Sequence, residues 1–187
     1  MEPYGKLKNL RKSKVNLFRS IKTLSKKDVV YGQFEGYQKE KGVKKNSTTE
    51  TYAEIKMEIN NPRWENVPVW VRSGKMLNMT STEIAIRFKN VPKMKLPKNA
   101  KLKDNILRIQ LEGPEKALTY EKLFGYAMQG DSTFFSHEDE VKEQWRVFDK
   151  IVKSKINIVK YKGGVERPEI KDFGPENGWI ETLEPTK

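Results

Sequence analysis

Apolar and polar residues alternate at every second position in several short stretches of this 187-residue chain. The apolar positions between residues 49 and 59 are Ala53, Ile55, Met57 and Ile59. Charged residues stand between them, beginning with Glu54. Because side chains on a strand point alternately to its two faces, this pattern predicts a strand with one buried and one solvated face. The Asn-Asn-Pro that follows predicts a turn, since proline cannot donate to a sheet ladder.

Four further stretches carry strand signals, at residues 29–34, 67–71, 83–88 and 105–111. In the last of them, one face consists of Leu107, Ile109 and Leu111, and we expect this apolar face to meet the core. The other face is mixed and presents Arg108 and Gln110 to a site or to water.

Helical signals precede and follow these strands. Residues 11–21, 115–129 and 137–153 are predicted to be helical, the last with a capping box formed by Ser136 and Asp139. The apolar residues at helical spacing in the last helix, expected to face the core, are Val141, Trp145, Phe148 and Val152. Strands and helices segregated in this way predict an α+β fold. We expect one predominantly antiparallel sheet of about five or six strands, with the two later helices packed on one face.

The chain carries 37 basic and 25 acidic residues, a net charge of +12, and has no cysteine. Disulfides, thiolate metal sites and a cysteine nucleophile are therefore excluded, and no His/Cys spacing indicates a metal site. Basic residues are scattered without an arginine-rich stripe, so nucleic acid is not an expected partner. No apolar run approaches the length of a membrane span, so a membrane is not expected either.

The strand predicted at residues 67–71 leads directly into Arg72-Ser73-Gly74-Lys75. Gly74 has no Cβ, which would let a ligand or backbone approach, and Lys75 would supply a compact positive charge. This arrangement predicts an anion-facing strand end. An ordinary solvated turn is the alternative reading.

Residues 47–77, STTETYAEIKMEINNPRWENVPVWVRSGKML, resemble the C-terminal domain of glucose-6-phosphate dehydrogenase, whose pattern includes S-T-x-T-F/Y-A, R-W-x-G-V-P and R-x-G-K. Residues 11–34, 105–111 and 129–149 resemble further segments of that domain in the same order. The resemblance implies a single domain over 1–187, a shortened form of the family's C-terminal domain, with 1–27 as a basic N-terminal helix and lead-in.

The resemblance also implies site residues. Lys75 matches the lysine of R-x-G-K, which contacts the sugar phosphate, and Gln110 matches the glutamine of I-R-I-Q-P at the same site. Met79 and Thr80 stand where the family places another basic residue. Arg72 and Arg108 match positions that some members use for a second, structural NADP. The residues at other positions of that NADP site are Ser81, Ala85 and Glu166.

These 187 residues contain no Gly-rich turn between a strand and a helix, which is the motif that binds a dinucleotide. The family's catalytic histidine lies upstream of the region matched here, and the single histidine, His137, is expected to be a surface or capping residue. The implied function is the glucose 6-phosphate-binding part of a cytoplasmic, NADP-dependent dehydrogenase of the oxidative pentose phosphate pathway, inactive without a dinucleotide-binding domain. The alternative is a non-catalytic binding or assembly module.

One departure from the family pattern concerns assembly. The helix resembling A-Y-E-R-L follows residues 105–111 almost at once, whereas the family has a long stretch of strands between them. In the family those strands belong to the sheet through which members usually dimerise, so the usual dimer is not expected, but a homo-oligomer formed by self-association through exposed apolar surface is. Trp70 and Met76 are predicted to be exposed apolar residues, suited to a missing partner.

Overall fold

The structure is a computed structural model that describes residues 7–89, 104–111, 116–130 and 135–182. The start of the helix predicted at residues 115–129 lies outside the described residues. The elements are α1 (Leu7–Ser20), β1 (Val29–Phe34), β2 (Tyr52–Met57), β3 (Val69–Gly74), β4 (Glu83–Arg87), β5 (Ile106–Gln110), α2 (Lys116–Met128), α3 (Glu138–Val152) and β6 (Ile158–Tyr161).

The described strands form two sheets. One has four strands in the order β3-β2-β1-β6, and the other is the β4–β5 hairpin. All neighbouring strands are antiparallel except β1 and β6, which are parallel. The predicted α+β class with a mostly antiparallel arrangement is confirmed. The expectation of a single sheet of five or six strands was wrong, and β6 was not predicted because its four residues show no alternation.

The division into two sheets begins directly after β3. Met76 has a left-handed backbone, with φ of 55°, so the chain turns away from the sheet at this point. Leu77 then pairs with Val165 in an isolated parallel bridge. The chain therefore enters β4 beside a different partner, and β4 pairs with β5 instead of extending the first sheet.

The core consists of two clusters on the four-stranded sheet. In the first, Val147 and Ile151 of α3 pack on Leu24 and Val29, and all four are at least 97% buried. The second joins the aromatic rings of Phe34, Tyr52 and Tyr161. Burying each large apolar side chain contributes roughly 1.5–3 kcal/mol. The first cluster fixes α3 to the sheet, and the second lies beside the end of β3.

The buried stripe of α3 differs from the predicted one. Trp145 and Val152 are exposed, whereas Val147 and Ile151 are buried. The helix begins at Glu138 with His137 as its N-cap and no side-chain cap bond, so the predicted capping box is absent. Its Asp139 carboxylate instead accepts hydrogen bonds from a side chain of α1.

Helix α1 packs on α3 and is capped by it. Arg146 of α3 donates to the carbonyls of Phe18 at 2.8 Å and Ile21 at 2.9 Å, and to the Thr23 hydroxyl at 3.0 Å. These bonds give the Phe18 carbonyl a second donor besides the Ile21 amide, and they satisfy the carbonyl of Ile21, the residue directly after α1. The pairs Arg11–Asp139 and Arg19–Glu143 add contacts along the two helices.

The apolar face of β5 does not meet the core. Leu107, Ile109 and Leu111 are 42–57% exposed, and so are Ile84 of β4 and Phe88 directly after it. The opposite face of the hairpin is the one in contact with protein, through its arginines. The expectation for this face was therefore wrong, because charged contacts to the C-terminal segment (residues 162–182) orient the hairpin.

The C-terminal segment covers the outer side of β3. Trp70 packs edge-to-face on Phe173 and Trp179, with ring centroids 5.2 and 6.1 Å apart. The expectation that Trp70 faces water was wrong, because this segment returns over the sheet. Met76, by contrast, is 58% exposed, as predicted.

Candidate functional site

Lys75 lies at the end of β3 with its backbone held on both sides. Its N–H donates to the Thr51 carbonyl at 2.8 Å, and its own carbonyl accepts a hydrogen bond from the Tyr161 hydroxyl at 2.7 Å. The side chain is exposed, and within residues 7–89, 104–111, 116–130 and 135–182 its ammonium group makes no hydrogen bond or ion pair. The result is a fixed backbone that carries an available cation.

Glycine is required before Lys75 for a steric reason. A Cβ built on Gly74 would lie 2.6 Å from Cδ2 of the Tyr52 ring and 3.3 Å from Leu77 Cδ1. Real Cβ atoms do not come this close, so any larger residue displaces the ring. The sequence predicted that Gly74 leaves space for a ligand or backbone, but the space is taken by a buried aromatic side chain.

The residues after Lys75 are tied to the C-terminal segment. The amide of Gly164 donates to the Met76 carbonyl at 2.8 Å, and the amide of Asn78 donates to the Val165 carbonyl at 2.9 Å. These bonds hold the left-handed turn at Met76, a conformation that costs on the order of 1 kcal/mol for a residue other than glycine. A strained backbone conformation persists only where surrounding contacts hold it, and here the two hydrogen bonds to the C-terminal segment do so.

Gln110 lies at the end of β5, paired with Glu83 at the start of β4, and is exposed. It belongs to a different sheet from Lys75, and no hydrogen bond joins the two side chains. The connection between them is the segment 75–82, which runs from the end of β3 to the start of β4. Met79 and Thr80 lie on this segment, so no second cation is supplied there.

Arg72 and Arg108 both contact the C-terminal segment. Arg72 Nη2 donates to Glu166 Oε1 and to the Thr182 hydroxyl, each at 3.0 Å, and its guanidinium lies 4.9 Å from the Trp179 ring centroid. Arg108 donates to the Glu83 carboxylate at 3.1 Å and, through Nη2, to a backbone carbonyl at 2.7 Å.

A cleft of about 480 Å³ opens beside Arg72. Its lining contains two arginines, Arg72 and Arg167, and three carboxylates, Glu166, Asp172 and Glu181. Partial burial raises the pKa of Glu166. The hydrogen bonds from Arg72 and from the Thr182 amide together lower this pKa by more than burial raises it, so the pKa lies below the usual glutamate value. Both arginines of this cleft are already paired, Arg72 with Glu166 and Arg167 with Glu54, so the cleft does not fit the phosphates of a second NADP. The two arginines fit an anchoring role better.

Glu54 is the most buried charge in the described structure. It is 0% exposed although its position in β2 predicted the solvated face. Its carboxylate accepts hydrogen bonds from the Tyr52 hydroxyl at 2.9 Å, Arg167 Nε at 3.0 Å and Trp179 Nε1 at 2.9 Å. Burial, and then the charge of Glu54 and its hydrogen bond, raise the pKa of Tyr52 well above the usual tyrosine value. The sequence did not predict the burial of Glu54, because two of its three partners, Arg167 and Trp179, lie more than 100 residues away.

The described part of the chain offers neither a metal site nor a membrane-spanning helix. No three His, Asp or Glu side chains there are arranged to hold a metal ion. No helix among these residues has both the length and the apolar character needed to cross a membrane. His137 is half-buried at the N-cap of α3.

The sequence model described as "Glucose-6-phosphate dehydrogenase, C-terminal domain" matches residues 1–119 and 113–174. The chain belongs to this family. The two matched stretches overlap at residues 113–119. The predicted family resemblance is confirmed.

Relatives of this glucose-6-phosphate dehydrogenase C-terminal domain are full-length dehydrogenases. The "Glucose-6-phosphate 1-dehydrogenase 6, cytoplasmic" of Arabidopsis thaliana is 30% identical over 95% of the chain and 42% of the relative. The "Glucose-6-phosphate 1-dehydrogenase" of Caenorhabditis elegans is 31% identical over 86% and 40%. The chain therefore spans about two fifths of the length of these relatives.

Solved structures share the fold. The crystal structure of the glucose-6-phosphate 1-dehydrogenase from Mycobacterium avium aligns over the whole chain and 48% of its own length, with a TM-score of 0.81 and 27% identity. A second, titled as a glucose-6-phosphate dehydrogenase in complex with its substrate glucose-6-phosphate, aligns over 90% of the chain with a TM-score of 0.71 and 22% identity. At that identity the second likeness shows the fold alone.

Proposed function

We propose that this chain is the C-terminal, glucose 6-phosphate-binding part of an NADP-dependent glucose-6-phosphate dehydrogenase. The reaction oxidises glucose 6-phosphate to 6-phosphogluconolactone in the cytoplasm, as a step of the oxidative pentose phosphate pathway. The observation that carries the proposal is the end of β3: Lys75 presents an exposed ammonium group that has no partner among the described residues, on a backbone that is held at both its N–H and its carbonyl.

Lys75 binds the phosphate of the sugar phosphate in this proposal. An ammonium group is a compact point charge with three donors, and it suits a phosphate that carries about two negative charges near neutral pH. A charge-assisted hydrogen bond of this kind contributes roughly 1.5–3 kcal/mol. Since Met79 and Thr80 offer no second cation, most of the phosphate's electrostatic attraction falls on Lys75.

Gln110 supplies an uncharged contact in the same proposal. Its amide can donate two hydrogen bonds and accept others, which suits sugar hydroxyl groups. Gln110 is exposed at the end of β5. Arg108, two residues earlier on the same face of the strand, holds β5 to the C-terminal segment. Gln110 would therefore refine orientation, while Lys75 provides the charge.

The redox chemistry is assigned to a dinucleotide-binding domain that these 187 residues do not include. The sequence offers no Gly-rich strand-to-helix turn to hold NADP, and its one histidine caps α3. The matched relatives are more than twice as long as the part that aligns with this chain, which leaves room for such a domain in them. The expectation is that the isolated chain reduces no NADP.

A second candidate function is a non-catalytic binding or assembly module. The exposed apolar face of the β4–β5 hairpin favours it, because a contiguous apolar surface is typical of a site for another protein. The same surface is also available to the dinucleotide-binding domain or to a second copy of the chain. Association through it would raise the melting temperature by mass action.

Reconstitution distinguishes the two functions. The purified chain is mixed with the separately produced dinucleotide-binding half of the Arabidopsis thaliana relative, and reduction of NADP by glucose 6-phosphate is followed. We expect turnover only in the mixture, and less of it when the chain carries Lys75→Ala. Turnover by the purified chain alone, with no contaminating dehydrogenase of the expression host, would refute the assignment of the redox chemistry to a separate dinucleotide-binding domain.

The DNA around the coding sequence provides an independent test. A neighbouring or upstream reading frame that encodes a Gly-rich dinucleotide turn supports the dehydrogenase assignment. An inactive mixture, no such reading frame and no binding of glucose 6-phosphate would favour the binding module.

A further inference from the structure

The backbone of Lys75 is held by a chain of buried hydroxyl groups that begins in β1. The amide of Phe34 donates to Thr51 Oγ1 at 3.0 Å, and Thr51 Oγ1 lies 3.1 Å from the Tyr161 hydroxyl. The Tyr161 hydroxyl donates to the Lys75 carbonyl at 2.7 Å. Thr51 and Tyr161 are both buried, and so are the two bonds that join Phe34, Thr51 and Tyr161, whereas the bond to Lys75 is partly buried.

The direction of every bond in this chain follows from the donors available. The single proton of the Tyr161 hydroxyl goes to the Lys75 carbonyl, since the Thr51 carbonyl is farther, at 3.3 Å, and already accepts the Lys75 amide. The Thr51 hydroxyl must then donate to Tyr161. Each hydroxyl therefore accepts once and donates once, and hydrogen bonds linked in this way strengthen one another.

Packing alone does not account for a tyrosine at position 161. Its ring lies edge-to-face with Phe34 and Tyr52, at centroid distances of 6.5 and 5.8 Å, and a phenylalanine ring would make the same contacts. A buried hydroxyl is tolerated only with partners. Here the strongest partner is the carbonyl of the residue that carries the exposed cation.

We propose that Tyr161 is the positioning residue of Lys75, and that its hydroxyl sets the direction in which the ammonium group meets the phosphate of the substrate. Gly74 on one side is packed against Tyr52, and Met76 on the other is fixed in a left-handed turn. The hydroxyl of Tyr161 fixes the peptide between them. This inference rests on the proposed function, because it takes Lys75 as the phosphate-binding residue.

The test uses the 187-residue chain, glucose 6-phosphate as the titrated ligand, and calorimetry for affinity. Tyr161→Phe removes the hydroxyl and keeps the ring. We expect affinity to fall roughly three- to tenfold, the range that corresponds to one neutral hydrogen bond. Tyr52→Phe is the matched control, since it also removes a buried tyrosine hydroxyl but one that donates to Glu54. It should lower the melting temperature and leave affinity unchanged.

A double-mutant cycle with Lys75→Ala separates positioning from general stability. If Tyr161 acts through Lys75, Tyr161→Phe weakens binding in the wild-type background and has no further effect once Lys75 is alanine. The same loss in both backgrounds, or unchanged affinity in Tyr161→Phe while Lys75→Ala weakens binding, would overturn the inference and leave the proposed function standing. Unchanged affinity in Lys75→Ala would overturn the substrate assignment itself.

A second variant covers the case in which Tyr161→Phe does not fold. Thr51→Val keeps the volume of the side chain and removes the hydroxyl that donates to Tyr161. We expect a smaller weakening in the same direction, again absent from the Lys75→Ala background. Affinity equal to that of the wild type would count against the hydroxyl chain as a positioning device.

Discussion

Removing Arg167 should destabilise the fold strongly, because it leaves a buried carboxylate without its cationic partner. Glu54 is 0% exposed, and Arg167 is its salt-bridge partner at 3.0 Å. Breaking a buried ion pair by deleting one member costs roughly 3–5 kcal/mol. Arg167 also donates to the Phe173 carbonyl at 2.9 Å, so its loss also loosens the C-terminal segment. The expected cost of Arg167→Ala therefore lies in this range.

A loss of this size is a large fraction of the total free energy of unfolding of a domain. Domains are stable by about 5–15 kcal/mol, and for a chain of this size each kcal/mol shifts the melting temperature by roughly 2–4 °C. Arg167→Ala is thus expected to lower the melting temperature by about 6–20 °C. Thermal denaturation followed by far-UV circular dichroism measures this change in melting temperature, and urea denaturation measures the change in the free energy of unfolding.

Two further variants make this prediction specific. Arg63→Ala removes an equal charge from an exposed loop position and should change the stability by less than about 0.5 kcal/mol. Glu54→Gln added to Arg167→Ala should recover part of the loss, since an uncharged amide is less costly to bury. The reasoning would be refuted by an Arg167→Ala protein as stable as the wild type, or by a double variant less stable than Arg167→Ala alone.

Three other outcomes follow from single contacts. Gly74→Ala places a Cβ 2.6 Å from the Tyr52 ring and should cost roughly 1–3 kcal/mol in urea denaturation; a neutral effect would show that the ring moves freely. The lowered pKa of Glu166 means that its contribution is present above about pH 4.5 and is lost as the pH falls through the lower folded-state pKa. Acid titration of Glu166→Gln should therefore show a flatter loss of stability below pH 4.5 than the wild type, and identical curves would contradict it. Arg146→Ala leaves the Ile21 carbonyl after α1 without its donor and the Phe18 carbonyl with one donor instead of two, and it should cost roughly 1–3 kcal/mol, with reduced helical signal; an unchanged signal would contradict the capping role.

Local patterns in the sequence were sufficient for the secondary structure and the fold class. The alternation in β2 and β5 and the helical periodicity of α3 depend on neighbouring residues alone, so these elements were predicted close to their observed bounds. The short parallel strand β6 was missed, since its four residues are defined by pairing with β1 and carry no periodic signal of their own.

Burial was less predictable, because it depends on contacts distant in the sequence. Glu54 reads as a solvated position in an alternating strand, yet Arg167 and Trp179 bring it fully inside the protein. Trp70 reads as exposed because its cover arrives about 100 residues later in the C-terminal segment. Leu107 reads as core because alternation shows that two faces differ without showing which one is covered.

The candidate site could be predicted only as an anion-facing strand end with a lysine. Lys75 was identified from Gly74-Lys75 at the end of an apolar run and from the family resemblance. Its support by Thr51 and Tyr161 had no local signal, because the three residues come from three separated parts of the chain.

The central claim is that Lys75 binds the phosphate of glucose 6-phosphate, and calorimetric titration of the chain with that ligand tests it most directly. Lys75→Ala is compared with Lys41→Ala, which removes the same charge from an exposed loop lysine. The expected result is a loss of affinity of about ten- to a hundredfold in Lys75→Ala, the equivalent of roughly 1.5–3 kcal/mol, and wild-type affinity in Lys41→Ala. Equal affinity of all three proteins, or an equal loss in both variants, would contradict the claim.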